Sequence, residues 1–418
     1  MVGLTHHVSR IFLLFVGLPV LGILSTLLRG EVIEQEPWYR SWELTGYAEL
    51  ETRGFLRDGA YAGQDQDAGV SFALEPEFYR AAKGNGMDFL FQPFLRLDSM
   101  DTERTHWDIR EFWWRKSWGD LDLTAGVGKV FWGVAESQHL VDTINQTDWV
   151  ENIDGEEKLG QPMVHASWYA SEAGVFDFFI LPYFRERTFP GAEGRLRFDP
   201  LLLSNRPIFE SSLENWHPDF AVRWSRVWGD FDFGWHLFRG TSRDPLFELL
   251  TTPEGTPVLL PVYNLMTQTG LDVQWTREAW LLKMEALIRD GRGQHYQAAV
   301  TGFEYTLYGI WESAVDVGLL GEYHFDSRWG SALTPFNHDV FAGTRWTWND
   351  AQDSAILAGV FWDHVNHSTT LRMEFERRLG ERFTLNLESQ WTVSADPSDF
   401  AYFFRRDGFI ELELRTWF

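Results

Sequence analysis

At 418 residues the chain has the length of two or three ordinary soluble domains, or of one closed barrel. Its 34 Phe, 22 Trp and 12 Tyr make it 16% aromatic at a mean hydropathy of only -0.26, a balance that suits strands alternating lipid-facing and polar positions between aromatic girdles. The net charge of -25 excludes a nucleic-acid partner, and the absence of cysteine excludes disulfides, thiolate metal sites, cysteine nucleophiles and covalently attached haem.

The N-terminus comes first. His6, His7 and Arg10 precede an apolar run from Ile11 to Leu28 that is interrupted by Gly17, Pro19 and Gly22. This reads as a secretory signal peptide over residues 1–30, with a permanent anchor helix as the alternative, followed by a short periplasmic segment over 31–40 and a barrel over 41–418. No later stretch approaches the ~18 consecutive apolar residues of a further transmembrane helix.

From Trp42 onward the dominant period is two, which predicts strands. Eighteen segments are expected, within a range of 16 to 20, starting near 41, 68, 86, 105, 119, 162, 173, 217, 229, 265, 278, 296, 312, 338, 353, 368, 381 and 408. Val258 to Asn264 is an additional strand candidate. The segments are longer than the ~5 to 6 residues usual in soluble sheets and match a tilted crossing of a bilayer. Tight connections alternate with long ones over 57–67, 132–161, 187–216, 240–257, 326–337 and 394–407. That parity predicts an all-β, antiparallel, up-and-down transmembrane barrel with short periplasmic turns and long outer loops. Two of the tight turns carry Trp-Gly-Asp, at 118–120 and 228–230, where glycine would supply the unusual backbone angle and tryptophan would sit at the lipid interface.

If the apolar set faces lipid, the polar set faces the lumen. The wall positions expected there are Asp108, Arg110, Arg289, Arg345, Arg372, Glu374, Glu376, Arg378, Glu388, Glu411, Glu413 and Arg415, together with His106, Arg223, His236, Asp272, Lys283, Glu285, Glu304 and Glu322. For any one of them, bracing of the wall is the favoured role; collectively they imply water inside. The connection over 132–161 is the expected constriction. It bears Glu136, Asp142, Asp148 and Glu151, whose carboxylates would form an eyelet against basic wall residues, together with Asn145.

The opening of that connection, Trp132, Gly133, Val134, Ala135, Glu136 and Ser137 followed by Val141, Asp142, Thr143, Ile144, Asn145 and Asp148, resembles a pattern in poorly characterised porin-like outer-membrane proteins, although Gln146 stands where proline is usual. The end of the chain carries the other resemblance. Ile410, Leu412, Leu414, Thr416 and the terminal Phe418 form one face of a strand similar to the last strand of Gram-negative outer-membrane proteins. The resemblance implies that Phe418 is the assembly signal read by the barrel-assembly machinery.

No nucleotide-binding, metalloprotease or nucleophile-elbow motif occurs, and the acidic run Asp154, Gly155, Glu156 and Glu157 lacks the spacing of a dedicated calcium loop. The sequence therefore points to a bacterial outer-membrane channel for small hydrophilic solutes or ions, neither an enzyme nor a cofactor or metal protein. Its partners would be outer-membrane lipids and lipopolysaccharide, with self-association into a homo-oligomer left open. The alternatives are a plugged barrel serving as a scaffold, or an importer of hydrophobic compounds.

Overall fold

A computed structural model describes residues 42–82, 87–293, 295–329, 334 and 336–418. The signal peptide and periplasmic segment expected over 1–40 lie outside the described residues.

Among the described residues, eighteen strands pair in one antiparallel sheet that closes on itself. In chain order its first members are β1 (Glu43–Phe55), β2 (Ala68–Ala82), β3 (Met87–Asp98), β4 (His106–Trp118), β5 (Leu121–Gly128), β6 (Gln161–Tyr169) and β7 (Val175–Leu181). After β8 (Ile208–Phe209) come the barrel strands β9 (Asp219–Trp228) and β10 (Phe231–Thr241), then β11 (Leu246–Thr251) and β12 (Pro257–Tyr263). The barrel resumes with β13 (Leu265–Arg277), β14 (Trp280–Gly291), β15 (Tyr296–Leu307), β16 (Asp316–Asp326) and β17 (Asp339–Thr347). It finishes with β18 (Ala355–Asp363), β19 (Thr369–Leu379), β20 (Phe383–Ser394) and β21 (Phe409–Trp417). The last strand returns to the first, with Phe409 opposite Phe55 and Trp417 opposite Tyr47, so the barrel sheet has no free edge. The largest departure from the expected starts is at β16, expected from 312 and found at Asp316, because a short 3-10 turn over Ile310–Glu312 precedes it.

The segment singled out around Val258 is a strand, but not of the barrel. β12 pairs with β11 and, in parallel, with β8, forming a three-stranded sheet from the two loops over 182–218 and 242–264.

Alternation fixes which side meets lipid. Leu44, Leu50, Val70, Phe72, Leu95, Leu97, Leu371, Ile410, Leu412 and Leu414 are exposed on the outer surface, while their strand neighbours Glu49, Glu51, Ser71, Arg96 and Glu411 are buried inside. Exposed tryptophans mark both ends of this belt: Trp118, Trp168, Trp228, Trp280 and Trp417 near the short turns, and Trp107, Trp329 and Trp362 near the long loops. The Trp-Gly-Asp turns use their glycines as anticipated, since Gly119 and Gly229 have φ of 58° and 60°, where a Cβ would be strained.

Two departures from strict alternation shape the interior. Pro93 in β3 has no N–H to give the ladder, and the register slips there by one residue, so that Gln92 faces Glu111 and Pro93 faces Ile109. The extra residue on the β4 side is Arg110, which is buried inside the barrel. The other departure is chemical. Met163, Phe179, Leu181, Ala221, Phe238 and Met266 are buried, giving the arc from β6 to β13 an apolar inner wall, and Trp132, Val141 and Ile144 from the connection after β5 pack onto it. The expectation that the polar face alone would line the interior fails here, and a smaller cluster of Leu287, Tyr296 and Ala298 interrupts it on β14 and β15 as well.

Candidate functional site

The connection after β5, residues 129–160, lies inside the barrel. Its entry depends on Trp132 and Gly133. The Trp132 ring is buried against Phe179 of β7 and His236 of β10, with centroids 5.6 and 5.0 Å away, and Arg223 of β9 sits 5.1 Å from its centre. Gly133 then turns the chain with φ 150°, and a Cβ there would come 2.9 Å from His139 and 3.0 Å from Glu285. The Trp-Gly pair is therefore an anchor followed by a pivot.

Beyond the pivot, two wall carboxylates catch the loop backbone. Glu285 of β14 accepts the N–H groups of Val134 at 2.7 Å, Ala135 at 2.9 Å and Val141 at 3.2 Å. Glu322 of β16 accepts those of Glu136 at 2.7 Å and Ser137 at 2.9 Å. A carboxylate accepts hydrogen bonds only, so these irregular loop donors, which no ladder serves, are matched to the one side-chain class able to take several of them.

Side chains of the loop fasten it to other parts of the wall. Glu136 pairs with Arg345 of β17 at 2.7 Å and Lys283 of β14 at 3.3 Å, and these two cations, against its burial, hold its carboxyl below the usual range. Asp148 pairs with Arg110 of β4 at 2.5 Å and accepts from Thr188 at 2.6 Å. Glu151 meets Arg96 of β3 at 2.7 Å, Asp154 meets Arg372 of β19 at 2.9 Å, and Asn152 donates to Glu388 of β20 at 3.1 Å. The loop is thus tied to β3, β4, β14, β16, β17, β19 and β20. Burial disfavours a charged His139 ring, but Glu156 at 3.1 Å and Glu285 at 3.9 Å outweigh it and push its pKa up to about 10.

Not every expected loop residue faces a wall cation. Asp142 is buried within the loop beside Lys158 at 3.1 Å, and burial raises its pKa despite that neighbour. Asn145 donates to the carbonyls of Gly128 at 2.9 Å and Leu159 at 2.8 Å and accepts from Val130, so it staples the two ends of the loop together.

The expected wall residues fall into groups. Arg53 bonds Glu411, Arg415 holds Glu49 at 2.6 Å, and Glu413 lies opposite Glu51 and accepts from Asn386 at 3.0 Å. Asp108 takes Arg185 at 2.7 Å, and Arg289 takes Asp244 at 2.8 Å. Glu374 and Glu376 line a cavity beside Arg372, with Glu374 2.6 Å from it. Arg378 stands apart, at the short-turn end of β19, exposed and 3.2 Å from Asp353 of the neighbouring turn. Sequence reasoning did not single out Glu49, Glu51, Arg96 or Arg104, although Arg104 bonds both oxygens of Glu51 at 2.7 Å and Arg96 bridges Glu49, Glu51 and Glu151. The alternation of β1 and β3 was the available signal for three of them; Arg104 sits in a loop, beyond the reach of that pattern.

Two cavities flank the inserted loop. The one toward the short turns, about 460 Å³, is lined by charged residues of β1, β3 and β19 to β21, including Arg53, Arg96, Glu374, Glu388, Glu413 and Arg415. The one toward the long loops, about 290 Å³, mixes Arg187, Arg289 and Arg328 with Trp149, Phe198, Phe247 and Phe400. Asp154 and Arg372 line both, so their ion pair stands between the cavities.

No family model matches the chain, and no curated protein does. Among solved structures, the high-pH structure of Pseudomonas putida OprB matches with 10% identity and a TM-score of 0.45, covering 91% of this chain and 95% of that one. A mutant of the Rh. blastica porin matches with 12% identity and a TM-score of 0.43, covering 90% and 100%. At these values the likeness adds nothing to the fold that the strand pairing already establishes.

Proposed function

We propose that this protein is a bacterial outer-membrane channel for passive passage of small hydrophilic solutes or ions, with the loop over 129–160 as its constriction. The observation that carries the reading is the ion pair of Asp154 and Arg372 between two cavities that both bear charged side chains, inside a barrel whose outside is apolar. Ionised side chains of both signs across a narrow passage favour hydrated ions and polar solutes over apolar ones, because each keeps its partners in water or in a hydrogen bond throughout. The direction of insertion follows from parity: the short turns face the periplasm and the long loops the outside. In the same reading Phe418, whose N–H donates to the Gly46 carbonyl at 3.0 Å where the barrel closes, is the residue that the barrel-assembly machinery engages, and outer-membrane lipid and lipopolysaccharide surround the belt.

Planar-bilayer recording of the refolded chain tests it. Stable ion-conducting steps are expected, with altered size and ion preference in Arg372→Ala. Electrical silence from a barrel that is intact by heat-modifiable gel mobility contradicts it. That result would support the plugged-barrel reading, which has one observation in its favour: an apolar cluster of Phe55, Met100, Phe189, Leu196, Phe198 and Phe404, joined by Trp149 and Phe247, gathers the long loops together.

A further inference from the structure

A second kind of chemistry sits where the loop returns to the wall. His106 of β4, Asp148 and Glu151 bring one nitrogen and two carboxylate oxygens within 4.8 Å of one another. The imidazole is oriented for ligation. Its Nδ1 lies 3.0 Å from the carbonyl of Arg104, which only accepts, so Nδ1 carries a proton and Nε2 is the nitrogen turned toward the carboxylates. Nε2 faces Glu151 Oε1 at 3.4 Å and Asp148 Oδ2 at 3.7 Å. Neither Nε2 nor Oε1 has a hydrogen-bond partner among the described residues, and Glu151 is only 5% exposed.

With the ring neutral, a lone pair aimed at two carboxylates is repulsive unless a cation lies between them. A proton on Nε2 would answer one oxygen along one line. A divalent ion would answer all three atoms. With metal–ligand bonds of about 2.0–2.1 Å, the ligand atoms of a tetrahedral site are about 3.3 Å apart, close to the two separations seen. The carboxylates are also held from outside: Arg96 takes Glu151 Oε2 at 2.7 Å and Thr188 takes Asp148 Oδ1 at 2.6 Å, the kind of outer support that fixes ligating carboxylates, while Arg110 already shares Asp148 Oδ2 at 2.5 Å, so that Glu151 Oε1 and His106 Nε2 are the two open ligand atoms. Calcium and magnesium prefer six or more oxygens, whereas one imidazole with two carboxylates suits zinc and its neighbours in the transition series.

We propose that His106, Asp148 and Glu151 form a binding site for a zinc-like divalent transition-metal ion that clips the inserted loop to β4. The ligands are far apart in the sequence and meet only because the loop folds inward, which is why no metal motif was legible. The site depends on the fold and not on conduction, so a closed barrel would bind the ion equally well.

Zinc titration of the refolded full-length chain by calorimetry tests the site. One Zn²⁺ per chain is expected, with affinity reduced at least about tenfold in Glu151→Gln and in His106→Gln. His139→Gln should bind like the parent, because the carboxylates around His139 lie on opposite ring nitrogens and cannot gather about one ion. Should the two ligand variants fail to refold, zinc-edge absorption spectroscopy of the unaltered protein decides: one imidazole nitrogen among oxygen ligands supports the site. No zinc uptake by the parent, unchanged affinity in His106→Gln, or an all-oxygen shell would overturn it.

Discussion

Some of the ion pairs inside this barrel have almost no contact with water, and that makes their single residues consequential. Arg110 and Asp148 are 2% and 0% exposed. A buried pair adds little net stability over an apolar pair of equal volume, but deleting one member strands the other. Arg110→Ala is therefore expected to destabilise the folded barrel by about 3–5 kcal/mol in urea unfolding from detergent micelles, whereas Arg378→Ala, at an exposed turn, should change stability by less than about 1 kcal/mol. His139 offers a pH handle. Its pKa rises from 6.5 to about 10 on folding, so its contribution is complete below about pH 6.5 and is lost as the pH climbs through about 10. Melting temperatures between pH 6 and 10.5 should fall more steeply for the parent than for His139→Gln; parallel curves would mean that the Glu156 and Glu285 contacts do not hold the ring.

Among the elements, the inserted loop is held by hydrogen bonds, ion pairs and apolar packing and not by a place in the barrel's ladder. Glu285→Ala removes the acceptor of three backbone N–H groups, each costly to leave buried and unpaired. The expected result is a loop cut by trypsin after Lys129 or Lys158 and larger, noisier conductance steps, with the strand content by circular dichroism unchanged. Protection equal to the parent's would show that the apolar packing of Trp132, Val141 and Ile144 suffices alone. The strands themselves were legible from the sequence because a two-residue period survives any tertiary context in which one face is oily and the other wet. It failed to show the apolar inner wall, since β7 (Val175–Leu181) is apolar at nearly every position and so carries no facing information. β12 was visible as a strand but not as one outside the barrel, because length and composition do not state a partner. The loop was expected to narrow the lumen through Asp142 and Asn145 as well as Glu136, Asp148 and Glu151. Charge, and for Asn145 its place between Asp142 and Asp148, singled them out alike, yet Asp142 and Asn145 serve the loop's own integrity, a distinction set by contacts that sequence spacing does not encode.

For the molecule as a whole, closure is what makes the rest necessary. Once β21 pairs with β1, every strand N–H and C=O has a ladder to join, and the apolar faces can be turned out to lipid while charged residues crowd a small wet interior. The barrel thus has an inside and an outside that alternate residue by residue along each strand. This alternation is most directly tested by attaching a nitroxide at each position from 371 to 376 of β19, through single introduced cysteines in a chain that has none of its own, and measuring collision with oxygen and with a water-soluble nickel complex in lipid vesicles. Labels at 371, 373 and 375 should favour oxygen, and those at 372, 374 and 376 nickel. A uniform profile, or the opposite phase, would contradict an oily exterior around an aqueous core.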